Sequence, residues 1–104
     1  MKEFDFFGAF FSVTWYNGYR DDIAEWIARM EKGENDCPLG ILPHDYREAC
    51  NFGQLQVLWM MLVEWLGEYG TSPRYGWIER DNLNECIEFL KKVVAKCDEG
   101  EANR

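Results

Sequence analysis

A chain of 104 residues that is 47% hydrophobic and 16% aromatic carries enough apolar surface to fold, and its length suits a single globular domain over residues 1–104. Its 19 acidic residues against 11 basic ones leave a formal charge of −8. That balance argues against direct nucleic-acid binding, which needs a basic patch to displace counterions, and against an anionic membrane surface; it permits a protein partner with a basic surface, and equally serves solubility alone.

The N-terminal segment places Glu3 and Asp5 beside Lys2 and lacks the apolar core of a signal peptide. The longest strictly apolar run, 57–63, falls far short of the roughly 20 residues that span a bilayer. A cytoplasmic protein is therefore expected, with Cys37, Cys50, Cys86 and Cys97 reduced.

In chain order, Phe11, Val13 and Trp15 alternate with Ser12 and Thr14, the period-2 pattern of a half-buried strand. Asn17-Gly18 supplies a turn after it, and the short run 75–79 is the partner strand this reading requires. Tyr19, Ile23, Trp26, Ile27 and Met30 then share one face of a helix. Asn17 is the expected N-cap, Asp21 and Asp22 suit the positive end of the dipole, and Gly33 suits the C′ position. Beyond a loop punctuated by Pro38, Gly40 and Pro43, a short helix is expected from Pro43 to Cys50. Asn51, with Gln54 three residues on, looks like the cap of a second helix over 52–66, apolar almost all round and so central.

Gly67, Gly70 and Pro73 break the pattern. The last helix follows from Leu83, Cys86, Ile87, Leu90, Val93, Val94 and Cys97 on one face. Asp81 would cap it, Glu88 would pair with Lys92, and 98–104 reads as a frayed polar tail. The expected fold is mainly α, a compact bundle of three principal helices and a short one, and the pattern admits a small two-stranded β element at the N-terminus.

Chemistry-bearing motifs are sparse. Cys37, His44 and Cys50 are spaced too widely for the usual paired zinc ligands, and Cys86 and Cys97 fall on an apolar helical face, so packing thiols and no metal are expected. His44 is the only histidine, and no glycine-rich phosphate loop, nucleophile elbow or metalloprotease motif is present, so neither catalysis nor a cofactor is expected.

What remains is surface. Asp21, Asp22, Glu25, Glu31, Glu34 and Asp36 cluster around the first periodic helix, and Glu79, Asp81, Glu85 and Glu88 lead into the last. On one side of the molecule they would form a stripe of carboxylates resembling a phosphate backbone. Tyr69, Arg74, Tyr75 and Trp77, among glycines and a proline, have the composition of a recognition loop. The expected function is that of a non-enzymatic acidic binding protein that blocks or recruits a macromolecular partner.

In size, charge and aromatic richness the chain resembles small acidic proteins of phages and mobile elements, some of which inhibit host defence nucleases. The resemblance covers no motif and transfers no residue. It implies an anti-defence inhibitor that acts by nucleic-acid mimicry on a nucleic-acid enzyme. The alternative is a structural or assembly subunit whose excess apolar surface is buried in a homo-oligomer.

Overall fold

The computed structural model describes residues 3–39, 46–69 and 76–102. They form four α-helices, α1 (Glu3–Tyr16), α2 (Arg20–Glu31), α3 (Tyr46–Leu66) and α4 (Leu83–Ala102), and two short strands, β1 (Gly67–Tyr69) and β2 (Gly76–Ile78). The chain is thus mainly helical with a small antiparallel sheet. It divides into two units, one from Met1–Glu34 with Asn84–Arg104, the other from Asn35–Leu83.

The first unit is built on aromatic packing. Phe6, Phe10 and Thr14 are buried at i, i+4 and i+8 of α1. The rings of Phe6, Phe7 and Phe10 surround Phe89 of α4, with centroids 5.2, 5.8 and 5.4 Å away. Further along, Trp15 lies against Gly100, where an added Cβ would sit 2.9 Å from the indole Nε1. Helices α1 and α4 therefore run side by side in the same direction. Helix α2 runs against α4, because Arg20 at its start bonds Asp98 and Glu31 at its end faces Lys91. Its inward face is Ile23, Trp26, Ile27 and Met30, as the spacing predicts. On α4 the inward face is Cys86, Ile87, Phe89, Leu90, Val93 and Cys97.

The strand expected at 11–15 is instead the last turn and a half of α1. The alternation covers five residues only, whereas the i, i+4 spacing of Phe6, Phe10 and Thr14, with Phe7, Phe11 and Trp15 beside it, covers the whole segment. Thr14 decides the matter. A strand would turn it outward with Ser12, but it is fully buried, its hydroxyl donating to the Phe10 carbonyl at 2.9 Å.

Both N-terminal helices end in the same way. Gly18 (φ 73°) follows α1, with Tyr19 N–H bonding Thr14 C=O at 2.9 Å; Gly33 (φ 92°) follows α2, with Glu34 N–H bonding Arg29 C=O at 3.2 Å and Gly33 N–H bonding Met30 C=O at 2.9 Å. Asn17 closes α1 rather than capping α2. Its side-chain amide donates to Val13 C=O at 3.1 Å, and Tyr19 precedes α2 without a side-chain cap. Replacing Gly33 with Ala forces a Cβ into the left-handed region and is expected to cost about 1–2 kcal/mol, read as a lowered melting temperature, with Asn milder than Ala.

In the second unit, α3 is one 21-residue helix. The short helix expected from Pro43 and the break at Asn51 are not separate features, since the backbone is helical from Tyr46 through Asn51; Pro43 itself lies outside the described residues. The arrangement of three principal helices and a short one is corrected accordingly, with α1 as a further full helix. Leu58, Trp59, Leu62, Val63 and Leu66 are buried, but Val57 and Met60 are exposed, so α3 is less enclosed than its composition suggests.

Strand β2 is the strand expected near 75–79, but its partner is β1, in the register Gly67↔Ile78, Glu68↔Trp77, Tyr69↔Gly76. Glycine is required at both ends of this ribbon: a Cβ on Gly67 would collide with the Trp77 carbonyl, and one on Gly76 with the Glu68 carbonyl and the Val63 side chain. The other side of β2 is held by Asn35, which accepts from Ile78 N–H at 2.9 Å and donates its side-chain amide to Ile78 C=O at 2.8 Å. A 3₁₀ turn, Arg80–Asn82, leads into α4. Asp81 lies in the middle of that turn, not at the position before Leu83 where α4 begins, so it does not cap α4. Asn82 donates instead to Leu66 C=O at 3.0 Å, satisfying an end carbonyl of α3. Helix α4 continues through the stretch read as polar tail, to Ala102.

Candidate functional site

The acidic residues fall into two sets, one on each unit. On the first unit, the opening turn of α2 places Arg20, Asp21 and Asp22 together. Arg20 forks onto Asp98, Nε to Oδ1 at 2.9 Å and Nη2 to Oδ2 at 3.0 Å, and Nη1 also donates to Asp21 at 3.2 Å. The bond from Arg20 lowers the pKa of Asp98, and the bonds to Asp98 and then Asp21 raise that of Arg20 further. Asp22, half-buried on the next position, is raised by desolvation first and then by the charges of Glu25 and Asp21.

Charges of both signs meet at the other end of α2, where Arg29 also faces Glu34 at 4.0 Å. Lys91 stands between Glu31 at 3.7 Å and Glu88 at 3.9 Å, so one ammonium serves two carboxylates. Glu88 thus pairs with Lys91 rather than Lys92. Glu25 and Glu85 are exposed. Of the predicted site residues, Asp21, Asp22, Glu25, Glu31, Glu85 and Glu88 therefore lie on α2 and α4 of one unit. Each exposed pair contributes only about 0–1 kcal/mol to stability. Their arrangement matters more for the field they leave, because both Arg20 and Lys91 are outnumbered by the acids they touch.

On the second unit, Trp77 projects from β2 and is 39% exposed, while Gly76 and Ile78 on either side of it are buried. Glu79 is half-buried and Asp81 exposed. Tyr69 ends β1; its side chain, together with Arg74 and Tyr75, lies outside the described residues. Two neighbours of Trp77 were not assigned to it by sequence reasoning. Glu68 is its cross-strand partner, and Asp36, grouped in sequence with the acids of α2, forms an isolated antiparallel bridge to it from the other side.

Among the described residues no group of three or more His, Cys, Asp or Glu could hold a metal ion, and no helix is long and apolar enough to cross a membrane. His44 and the Cys50 side chain lie outside the described residues. Burial, and secondarily the charge of Glu85, push the Cys86 thiol from 9.0 up to about 12. An unfolded thiol ionises near 9.0 while the folded one does not, so the stability Cys86 contributes is complete below pH 9.0 and is lost as pH rises toward 12. At pH 8 iodoacetamide is expected to alkylate the half-exposed Cys37 well before Cys86, as read by peptide mass mapping.

Compared with protein families, curated proteins and solved structures, the chain matches none.

Proposed function

We propose that this is a non-enzymatic binding protein whose acidic surface blocks or recruits a macromolecular partner bearing a basic groove. Its sharpest form is a phage or mobile-element inhibitor of a host nucleic-acid-binding defence enzyme, acting in the cytoplasm, with carboxylates standing in for phosphates. In this reading α1, α2 and α4 serve as a small bundle that holds the carboxylates in place. The observation that carries it is the local excess of acids on α2 and α4, where Arg20 is shared by Asp21 and Asp98, and Lys91 by Glu31 and Glu88. The pKa of Asp22 is raised by desolvation first, and the neighbouring charges of Glu25 and Asp21 add to it. A basic partner would relieve that repulsion and gain a faster encounter.

The test is a tagged pull-down from a lysate at low and high salt. A nucleic-acid enzyme with a basic groove should be recovered at low salt and lost at high salt, because screening shortens the reach of exposed charges. The triple variant Asp21→Asn, Asp22→Asn, Glu25→Gln should recover less of it at low salt. Equal recovery by the variant, or indifference to salt, would sink the proposal.

The second reading is a structural or assembly subunit acting through a homo-oligomer. It is favoured by Val57 and Met60, three positions apart on α3 and exposed at 53% and 38%. A solution mass that stays oligomeric at high salt and falls to monomer on Val57→Asp would support it.

A further inference from the structure

We infer that Trp77, flanked by Asp36 and Glu68, is a docking site for an arginine side chain of a protein partner. The register puts the three residues in one row across the strands, with Glu68 opposite Trp77 on β1 and Asp36 opposite it on the other side. Residues directly opposed in antiparallel pairing point to the same face, with Cβ atoms about 4.5–5.5 Å apart. Burial follows the same pleat: Asp36, Trp77 and Glu68 are exposed, whereas Gly76 and Ile78 are buried. The double attachment of Asn35 to Ile78 keeps Asp36 in register, and the close approach at Gly67 and Gly76 keeps Glu68 there.

This row is a partly exposed indole with a carboxylate on each side. Among the described residues neither Asp36 nor Glu68 forms an ion pair. Charge complementarity selects the occupant. An anion is repelled by both carboxylates, and an apolar group would strip water from them without replacing its hydrogen bonds. A cation is attracted by the ring face, for which Trp is the strongest of the aromatic residues. Among protein cations, the guanidinium is flat and weakly hydrated, so it can stack on the indole while donors at its edges reach carboxylates on either side. A lysine ammonium is a strongly hydrated point charge and cannot stack or fork in this way. The site deepens the function proposed above and rests on it: the acids of α2 and α4 attract a basic partner, and Trp77 reads one arginine on it.

Calorimetric titration of the full chain with a hexa-arginine peptide and with its hexa-lysine counterpart, at one low ionic strength, tests the inference. The chain should bind hexa-arginine more tightly. Trp77→Ala should weaken hexa-arginine binding by about tenfold and erase the preference over lysine, with Trp77→Phe in between. Asp36→Asn with Glu68→Gln should lose at least as much. Glu25→Gln with Glu85→Gln removes the same charge from the other unit and should weaken both peptides alike while leaving the preference intact. Trp77 is exposed, and an unchanged circular dichroism spectrum verifies that each variant folds. Wild-type affinity in Trp77→Ala, or equal affinity for the two peptides, overturns the site while leaving the acidic-surface proposal standing if its salt-sensitive partner is still captured. Failure to bind either peptide, together with no salt-sensitive partner, overturns both.

Discussion

Phe89→Ala is expected to cost about 3–5 kcal/mol of stability, a large part of the roughly 5–15 kcal/mol that holds a domain together. The ring is 2% exposed and is packed against Phe6, Phe7 and Phe10. Truncation removes its apolar surface, leaves a cavity lined by rings that cannot all move inward, and deletes three aromatic contacts worth about 0.5–1.5 kcal/mol each beyond area burial. Phe89→Leu keeps most of the volume and should cost less than half as much. Denaturant unfolding followed by near-ultraviolet circular dichroism measures both. A loss under about 1 kcal/mol for the alanine variant would mean that Phe89 is not the ring on which α1 and α4 are joined.

Gly67→Ala is the second large effect, at about 3 kcal/mol, and it arises from overpacking rather than a cavity. Its Cβ would be driven into the Trp77 carbonyl, which is backbone and cannot swing aside as the end of a flexible side chain can. The β1–β2 pairing must open to admit it. Hydrogen exchange of the Ile78 and Glu79 amides, bonded to Asn35 and Leu66, should accelerate. Gly53→Ala is the contrast. On α3 an added Cβ meets nothing within 4 Å, and removal of a helical glycine should stabilise by about 0.5–1 kcal/mol. If Gly67→Ala behaves like Gly53→Ala, the tight strand approach is not a property of the folded protein.

How much of this was legible in the sequence depended on how long each pattern ran. Helix α4 could be read because its apolar positions repeat over four turns, and α2 because Gly33 and the periodic face agree. A window as short as Phe11 to Trp15 satisfies both periods, so α1 reads there as a strand; the longer i, i+4 run from Phe6 and the buried Thr14, its hydroxyl turned back on Phe10, separate them. The cap positions Asn17, Asn51 and Asp81 failed for one reason. A side chain suited to capping is equally suited to closing the preceding helix, continuing through one, or standing in a 3₁₀ turn, and neighbouring backbone decides among these. At the candidate site, composition singles out Trp77 and the acids of α2 and α4 as candidates. It could not place Asp36 and Glu68 beside Trp77, since register across strands rests on two glycines and Asn35, none of which carries a functional signature.

The first unit takes its helices from both ends of the chain. On a ribosome adding about 5–20 residues per second, Phe6 and Phe10 leave the tunnel seconds before Phe89 is made. For that interval the rings of α1 lack Phe89, a surface that invites chaperones or self-association. A protein assembled in this order should give low soluble yield when translation is slowed ahead of α4, even though the finished molecule is unchanged.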